Sequence, residues 1–144
     1  MIKPIPTTYA GIEFRSRLEA RWAMYFDLLG VEWIYEMEGF DLGNGFYYLP
    51  DFYLPKFDVY CEVKPFQQDD HKWKKFTENG KYRLILLFGK VHTLACPILR
   101  GSVKVIIPHE DSAFCEYGKL FYGDNGNIVD ENQKFCDEAN SYKF

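Results

Sequence analysis

The sequence predicts a mixed α/β fold of the α+β type, formed by a single domain. Its 144 residues are enough for one domain with its own core. Apolar residues recur at helical spacing from about Arg15 to Leu29, and Gly30 is a typical helix stop. Runs that are continuously apolar, or rich in aromatic and β-branched residues, predict strands over residues 31–35, 46–54, 57–64 and 82–88.

The remaining signals give an order of helix, three strands, helix and strand. Residues 1–12 are expected to be extended, and the Gly-Asn-Gly sequence at 43–45 predicts a hairpin tip. Pro65 ends the third strand, and a polar, lysine-rich helix is expected over residues 67–78. Beyond residue 88 we expect a β-rich extension of unknown role, with a loop through 96–97, a strand over 103–107, a hairpin around 123–126 and a short C-terminal helix.

Composition favours a soluble intracellular protein. The first residues do not resemble a signal peptide, and the longest apolar run is far shorter than the roughly 20 residues that span a membrane. The four cysteines lie far apart and form no C-x-x-C pair, which argues against structural zinc and favours free thiols. They are Cys61, Cys96, Cys115 and Cys136.

Three charged residues lie within strand-like sequence, where burial of an unpaired charge is costly. They are Asp51, which follows Pro50, and the pair Glu62 and Lys64 in the next strand. Side chains alternate along a strand, so Glu62 and Lys64 share one face. If the two strands pair, Asp51 and Glu62 converge on a hard-oxygen site suited to Mg²⁺ or Mn²⁺, with Lys64 directed toward the same space.

Simpler interpretations of these residues stay open. Asp51 would then cap a turn after the proline, while Glu62 and Lys64 would face solvent on an edge strand. Glu19 lies at the edge of the apolar stripe of the first helix, where its alternatives are a weak surface salt bridge with Arg15 or a place beside the metal.

These residues resemble the motif of the PD-(D/E)XK nuclease superfamily, which has a restriction-endonuclease-like αβββαβ core. The motif is Pro50-Asp51 followed by Glu62-Val63-Lys64, and the similarity covers residues 14–88. Three segments look like a branch of small stand-alone nucleases of phages and bacteria: residues 14–22, 35–40 and 48–52. Residues 89–144 form the extension outside this expected nuclease core.

The resemblance implies roles for individual residues. Asp51, Glu62 and Glu19 would bind the metal, Lys64 would be the catalytic lysine, and Glu19 would act as an accessory acid. Gln67 or Gln68 would orient the phosphate or simply be polar residues at a helix start. Contacts to the nucleic-acid backbone are expected from five basic residues: Arg15, Arg17, Lys72, Lys74 and Lys75.

The expected function is a Mg²⁺-dependent deoxyribonuclease, with Mn²⁺ able to substitute, of the resolvase or recombination type of endonuclease. The alternative is a catalytically inactive module on the same fold that binds nucleic acid or mediates phage–host interaction. RNA is not separable from DNA as substrate, because the catalytic groups act on the phosphodiester. Net charge of −4 suggests that a homodimer or a partner protein supplies further contacts. The expected location is the cytoplasm, that of the host if a phage encodes the protein.

Overall fold

The computed structural model describes residues 3–78, 81–91, 97–100, 103–106 and 130–144. These residues form a mixed α/β structure with three α-helices: α1 (Arg17–Leu29), α2 (His71–Thr77) and α3 (Asp130–Ser141). The strands are β1 (Thr7–Tyr9), β2 (Ile12–Phe14), β3 (Ile34–Tyr35), β4 (Phe40–Gly43), β5 (Phe46–Tyr48), β6 (Phe52–Leu54), β7 (Val59–Lys64), β8 (Arg83–Phe88), β9 (Pro97–Arg100) and β10 (Val103–Ile106). No helix within the described ranges is both long and apolar enough to cross a membrane.

A six-stranded sheet forms the centre of the structure, in the order β10-β9-β8-β7-β6-β3. Strands β3, β6 and β7 pair antiparallel, and β7 then pairs parallel with β8. A parallel pair requires a crossover between its strands, and α2 lies in that connection. Strands β9 and β10 lengthen the same sheet beyond β8, so part of the predicted extension is continuous with the centre of the fold.

Two hydrophobic cores cover the two faces of this sheet. On one face, buried residues of α1 and α3 pack against alternate side chains of the central strands such as Phe52, Cys61 and Ile85. On the other face, α2 and the β4–β5 hairpin pack against Tyr60 and Leu84. Strand alternation places Glu62 and Lys64 on this second face.

Helix α1 confirms the helical periodicity of the sequence, although it begins at Arg17. The Ser16 side chain accepts a hydrogen bond from the backbone N–H of Glu19 and so caps its N-terminus. Gly30 has a φ of 73°, and its N–H bonds to the carbonyl of Asp27 while that of Val31 bonds to Phe26. This is a Schellman ending, in which Gly30 terminates the helix and Val31 contributes the outer hydrogen bond. Of the predicted strand over 31–35, only Ile34–Tyr35 pair in the sheet.

The prediction of one strand over residues 46–54 is wrong, because the segment forms two strands in different sheets. β5 pairs with β4 around the predicted Gly-Asn-Gly tip, whereas β6 joins the central sheet. Pro50 lies between them and has no N–H to donate to a ladder. The break lets Tyr48 and Asp51 belong to different layers of the molecule.

Other boundaries also differ from the sequence predictions. Helix α2 begins at His71, because the Asp70 side chain caps it, so residues 67–70 lie outside it. The N-terminal extended segment is a hairpin, β1–β2, turned by Ala10 and Gly11 with positive φ. Strand β9 replaces part of a predicted loop. The strand over 82–88 and the C-terminal helix are confirmed as β8 and α3, while the hairpin around 123–126 lies outside the described residues.

The two cysteines that the structure describes are not joined in a disulfide. Cys61 and Cys136 are both buried in the core beneath α1. Burial raises the pKa of the Cys136 thiol to about 11. Cys96 and Cys115 lie outside the described residues.

Candidate metal and active site

Asp51 and Glu62 face each other across two neighbouring strands. The antiparallel register pairs Phe52 with Cys61, and one further step places Asp51 opposite Glu62. Residues directly opposite in such a pair project from the same face of the sheet. β7 is an inner strand and Glu62 is only 5% exposed, so the interpretation of Glu62 and Lys64 as solvent-facing residues on an edge strand is wrong.

The buried carboxylate of Glu62 is held by two hydrogen-bond donors. The Tyr48 hydroxyl, at the end of β5, donates to its Oε2 atom. The indole Nε1 of Trp73, on α2, donates to the same oxygen over 3.3 Å. Burial and the negative charge of Glu62 raise the pKa of Tyr48 well above its usual value, so this hydroxyl keeps its proton and remains a donor.

Asp51 has fewer partners, although its carboxyl group is surrounded by negative charge. The backbone N–H of Val63 donates to its Oδ2 over 2.8 Å. Burial raises the pKa of Asp51 well above its usual value, and the charge of Glu62, a side-chain hydrogen bond with Glu62 and the charge of Glu19 raise it further. The bond from Val63 opposes this shift. Asp51 therefore lies near two other acidic residues, and among the described residues it forms no ion pair with a basic side chain.

Glu19 is buried, and each of its carboxylate oxygens accepts a hydrogen bond. It is 5% exposed, the Ser16 hydroxyl donates to its Oε1 over 2.9 Å, and the Tyr35 hydroxyl donates to its Oε2 over 2.9 Å. The proposed surface salt bridge with Arg15 is not formed, because Arg15 pairs with Glu36 at 2.8 Å. Glu19 thus contributes its charge to the neighbourhood of Asp51 from a fixed position on α1.

Lys64 ends β7 on the same face as Glu62. It is half-buried, and its backbone carbonyl accepts a 2.8 Å hydrogen bond from the N–H of Gly89. Within the described ranges its ammonium group forms no ion pair or hydrogen bond. Lys64 thus lies two residues beyond Glu62 on the same face of β7.

The donor set that the structure brings together is the pair Asp51 and Glu62. No three His, Cys, Asp or Glu side chains in the described part of the chain are grouped closely enough to hold a metal ion. Glu19 influences Asp51 electrostatically, and each of its two oxygens accepts one hydrogen bond from a neighbouring hydroxyl. Two carboxylates still fit a hard cation such as Mg²⁺, which keeps several waters and typically takes one or two protein carboxylates plus substrate phosphates.

The basic residues predicted to contact nucleic acid lie on two different helices. Arg15 and Arg17 are exposed at the start of α1, and Arg15 is paired with Glu36. Lys72, Lys74 and Lys75 lie on α2, where the ammonium of Lys75 is 5.6 Å from the ring of Phe46. The two helices pack against opposite faces of the central sheet. Gln67 and Gln68 precede α2 and are exposed and half-buried, respectively.

Four residues that contact the acidic groups do not stand out as site residues in the sequence: Ser16, Tyr35, Tyr48 and Trp73. One signal exists for Ser16, because Ser-x-x-Glu is a helix-capping pattern. The three aromatic residues carry no comparable signal, since a chain with a 19% aromatic content has many such residues. Only the packing of β3, β5 and α2 brings them to the carboxylates.

Comparison of the chain with protein-family models, curated proteins and solved structures finds no match. Function is therefore inferred from the chemistry of the site.

Proposed function

We propose that the protein is a metal-dependent nuclease of the PD-(D/E)XK type that hydrolyses phosphodiester bonds in DNA as an endonuclease. The observation that carries the proposal is the Asp51–Glu62 pair, placed face to face with Lys64 on the same side of the sheet. Burial and the charge of the neighbouring Glu62 raise the pKa of Asp51. A divalent metal held by both carboxylates would relieve this repulsion.

The order of elements supports the same proposal. Helix α1 is followed by three antiparallel strands of the central sheet, β3, β6 and β7, then by α2 and by β8 parallel to β7. The superfamily core has the order αβββαβ. Asp51 directly precedes β6, which corresponds to the second strand of that order, and Glu62 and Lys64 lie on β7, which corresponds to the third. The β4–β5 hairpin is an insertion between the first and second of these strands.

Each residue has a role that follows from its contacts. Asp51 and Glu62 would hold Mg²⁺ or Mn²⁺, which supplies Lewis-acid polarisation of the phosphate and a more acidic bound water. The Lys64 ammonium is a cationic donor on the same face as Glu62, suited to orient a water and to stabilise developing negative charge on the phosphate. Glu19 is a fixed accessory acid whose charge strengthens the attraction of the site for cations.

DNA is proposed as the substrate, with recombination or branch resolution as the setting. The site itself acts on the phosphodiester and carries no readout of the base or sugar. Helix α2 packs on the same face of the sheet as Glu62 through Trp73 and Phe76. It carries Lys72, Lys74 and Lys75, so we assign the backbone contacts to this helix first. A second copy of the chain or a partner protein would supply the remaining contact surface.

The test is a cleavage assay on linear, branched and single-stranded DNA and on matched RNA, with Mg²⁺ or Mn²⁺. We expect cleavage by the wild type and a loss of at least about 100-fold in Asp51→Ala and Lys64→Ala, as for removal of a main catalytic group. Lys56→Ala is the matched control, because Lys56 is an exposed lysine on the 3₁₀ turn at Pro55–Phe57.

Two outcomes would contradict the proposal. Equal cleavage by the wild type and both variants would exclude the assigned residues and point to a contaminant. Binding of nucleic acid that is unaffected by chelator, with no cleavage under any condition, would favour the alternative of an inactive binding module.

A further inference from the structure

The two oxygens of Glu62 have unequal environments. Tyr48 and Trp73 both donate to Oε2, and a carboxylate oxygen has two lone-pair sites. Oε2 is therefore saturated by the protein. Oε1 accepts from neither donor, and it is the oxygen left for the neighbouring Asp51 carboxyl or for a cation.

The two donors are themselves fixed by packing. Trp73 is 1% exposed and Tyr48 is 6% exposed. The Tyr48 ring lies 5.1 Å from that of Phe76 on α2, and the Trp73 ring lies 6.1 Å from that of Phe88 on β8. Neither donor can leave Oε2 without disturbing the core between α2 and the sheet, so the orientation of Glu62 is set before any ligand arrives.

We propose that Tyr48 and Trp73 are positioning residues that restrict Glu62 to one available oxygen, Oε1, and thereby make the site prefer Mg²⁺ or Mn²⁺ to Ca²⁺. Ca²⁺ takes six to eight oxygens and readily uses both oxygens of a carboxylate, whereas Mg²⁺ takes six ligands in a strict geometry. A carboxylate with one oxygen occupied serves the smaller ion better. The inference depends on the proposed metal site and extends it to metal selectivity.

Calorimetric titration of the full chain with Mg²⁺, Mn²⁺ and Ca²⁺, in the absence of nucleic acid, tests this inference. We expect Tyr48→Phe and Trp73→Phe to weaken Mg²⁺ binding by about 10-fold or more, as is typical when a partner of a metal ligand is removed. Ca²⁺ binding should be unchanged or tighter, so the ratio of the two dissociation constants falls. A general loss of structure would instead weaken the binding of both ions together.

Tyr53→Phe is the matched control, because the Tyr53 hydroxyl also donates to a carboxylate. Its acceptor is Asp58, at 2.7 Å, which is not one of the acidic residues of the site. It should leave both affinities unchanged. Thermal unfolding of each metal-free variant establishes that it is folded, and either Tyr48→Phe or Trp73→Phe suffices if the other does not fold.

The outcomes separate the two proposals. If the wild type binds Mg²⁺, and the folded variants bind Mg²⁺ and Ca²⁺ with the wild-type ratio, the positioning role is overturned while the metal site stands. If the wild type and Asp51→Ala both show no binding of any of the three ions, the metal site itself is wrong and the inference fails with it.

Discussion

At the scale of single residues, Asp51 is a position at which the ionised side chain is expected to lower the stability of the folded protein. Its carboxyl is partly buried beside Glu62 and receives one backbone hydrogen bond, from Val63. Native structures tolerate such an arrangement when function requires it, and stabilising substitutions at functional sites commonly cost activity. The chemistry proposed for the site therefore has a consequence for folding that can be measured without a substrate.

Asp51→Asn is expected to raise the melting temperature of the metal-free protein at pH 7. The substitution removes a negative charge and supplies an amide that can donate to Glu62. It should also remove the gain in melting temperature that Mg²⁺ gives the wild type. Asp69→Asn, at an exposed position before α2, is the control and should change stability by less than about 0.5 kcal/mol.

The free energy of unfolding is expected to depend on pH differently in the wild type and in Asp51→Asn. The pKa of Asp51 is raised in the folded state, so the folded protein binds more protons than the unfolded chain at pH values between the two pKa values. Stability of the metal-free wild type should therefore fall as pH rises through that interval. Asp51→Asn should show a flatter profile in urea unfolding, and an unchanged profile would contradict the raised pKa.

At the scale of elements, the start of α1 couples helix stability to the site. Ser16 caps the helix through the N–H of Glu19 over 3.1 Å and donates to the Glu19 carboxylate. The Tyr35 hydroxyl on β3 completes the arrangement and accepts from the N–H of Arg15 over 3.2 Å. The start of α1, strand β3 and the buried Glu19 carboxylate are thus joined by one set of hydrogen bonds.

Ser16→Ala is expected to lower the free energy of unfolding by about 1 kcal/mol, the typical effect of losing an N-cap. Because Glu19 also loses a donor, cleavage should fall while the metal-binding pair stays intact. Ser16→Thr keeps the hydroxyl and is the rescue variant. Chemical denaturation and the cleavage assay check the two parts, and wild-type stability of Ser16→Ala would show that the cap contributes nothing.

At the scale of the whole molecule, the C-terminal helix holds the centre of the fold together. Helix α3 packs against α1, and Asn140 forms two hydrogen bonds with the backbone of Val91, at 3.0 and 2.8 Å. The Arg21 guanidinium donates to the carbonyl of Asn140 over 2.8 Å. Val91 lies just beyond β8, so residues at opposite ends of the sequence secure the sheet that carries the site.

Asn140→Ala should destabilise the protein by roughly 2 kcal/mol, because two hydrogen bonds to buried backbone groups are lost at about 1 kcal/mol each. Gln133→Ala on the exposed side of the same helix is the control, since its amide bonds to Asp137 one turn along the helix and forms no hydrogen bond to the sheet among the described residues. Chemical denaturation of both variants measures their free energies of unfolding and tests this prediction. Equal stability of the two variants would mean that α3 is not anchored through Asn140.

Much of the fold was predictable because local signals agree with the final structure. The period of α1 and its Gly30 stop, the apolar run of β8 and the Gly-Asn-Gly tip of the β4–β5 hairpin are all local. The errors fall where tertiary contacts decide. Residues 46–54 have strand composition throughout, yet Pro50 divides them between two sheets, and β9 pairs with β8 although its sequence suggests a loop.

The sequence by itself determined which residues are candidates for the site: Asp51, Glu62 and Lys64 are charges in strand-like surroundings, and strand alternation alone places the last two on one face. Only the tertiary structure decided that Asp51 lies opposite Glu62, because register depends on pairing between strands. Only the packing of β5 and α2 on the sheet decided that Tyr48 and Trp73 both donate hydrogen bonds to one oxygen of Glu62. Hydrogen bonds between distant elements leave no periodic trace in a sequence, which is why the charged pair could be predicted and its aromatic donors could not.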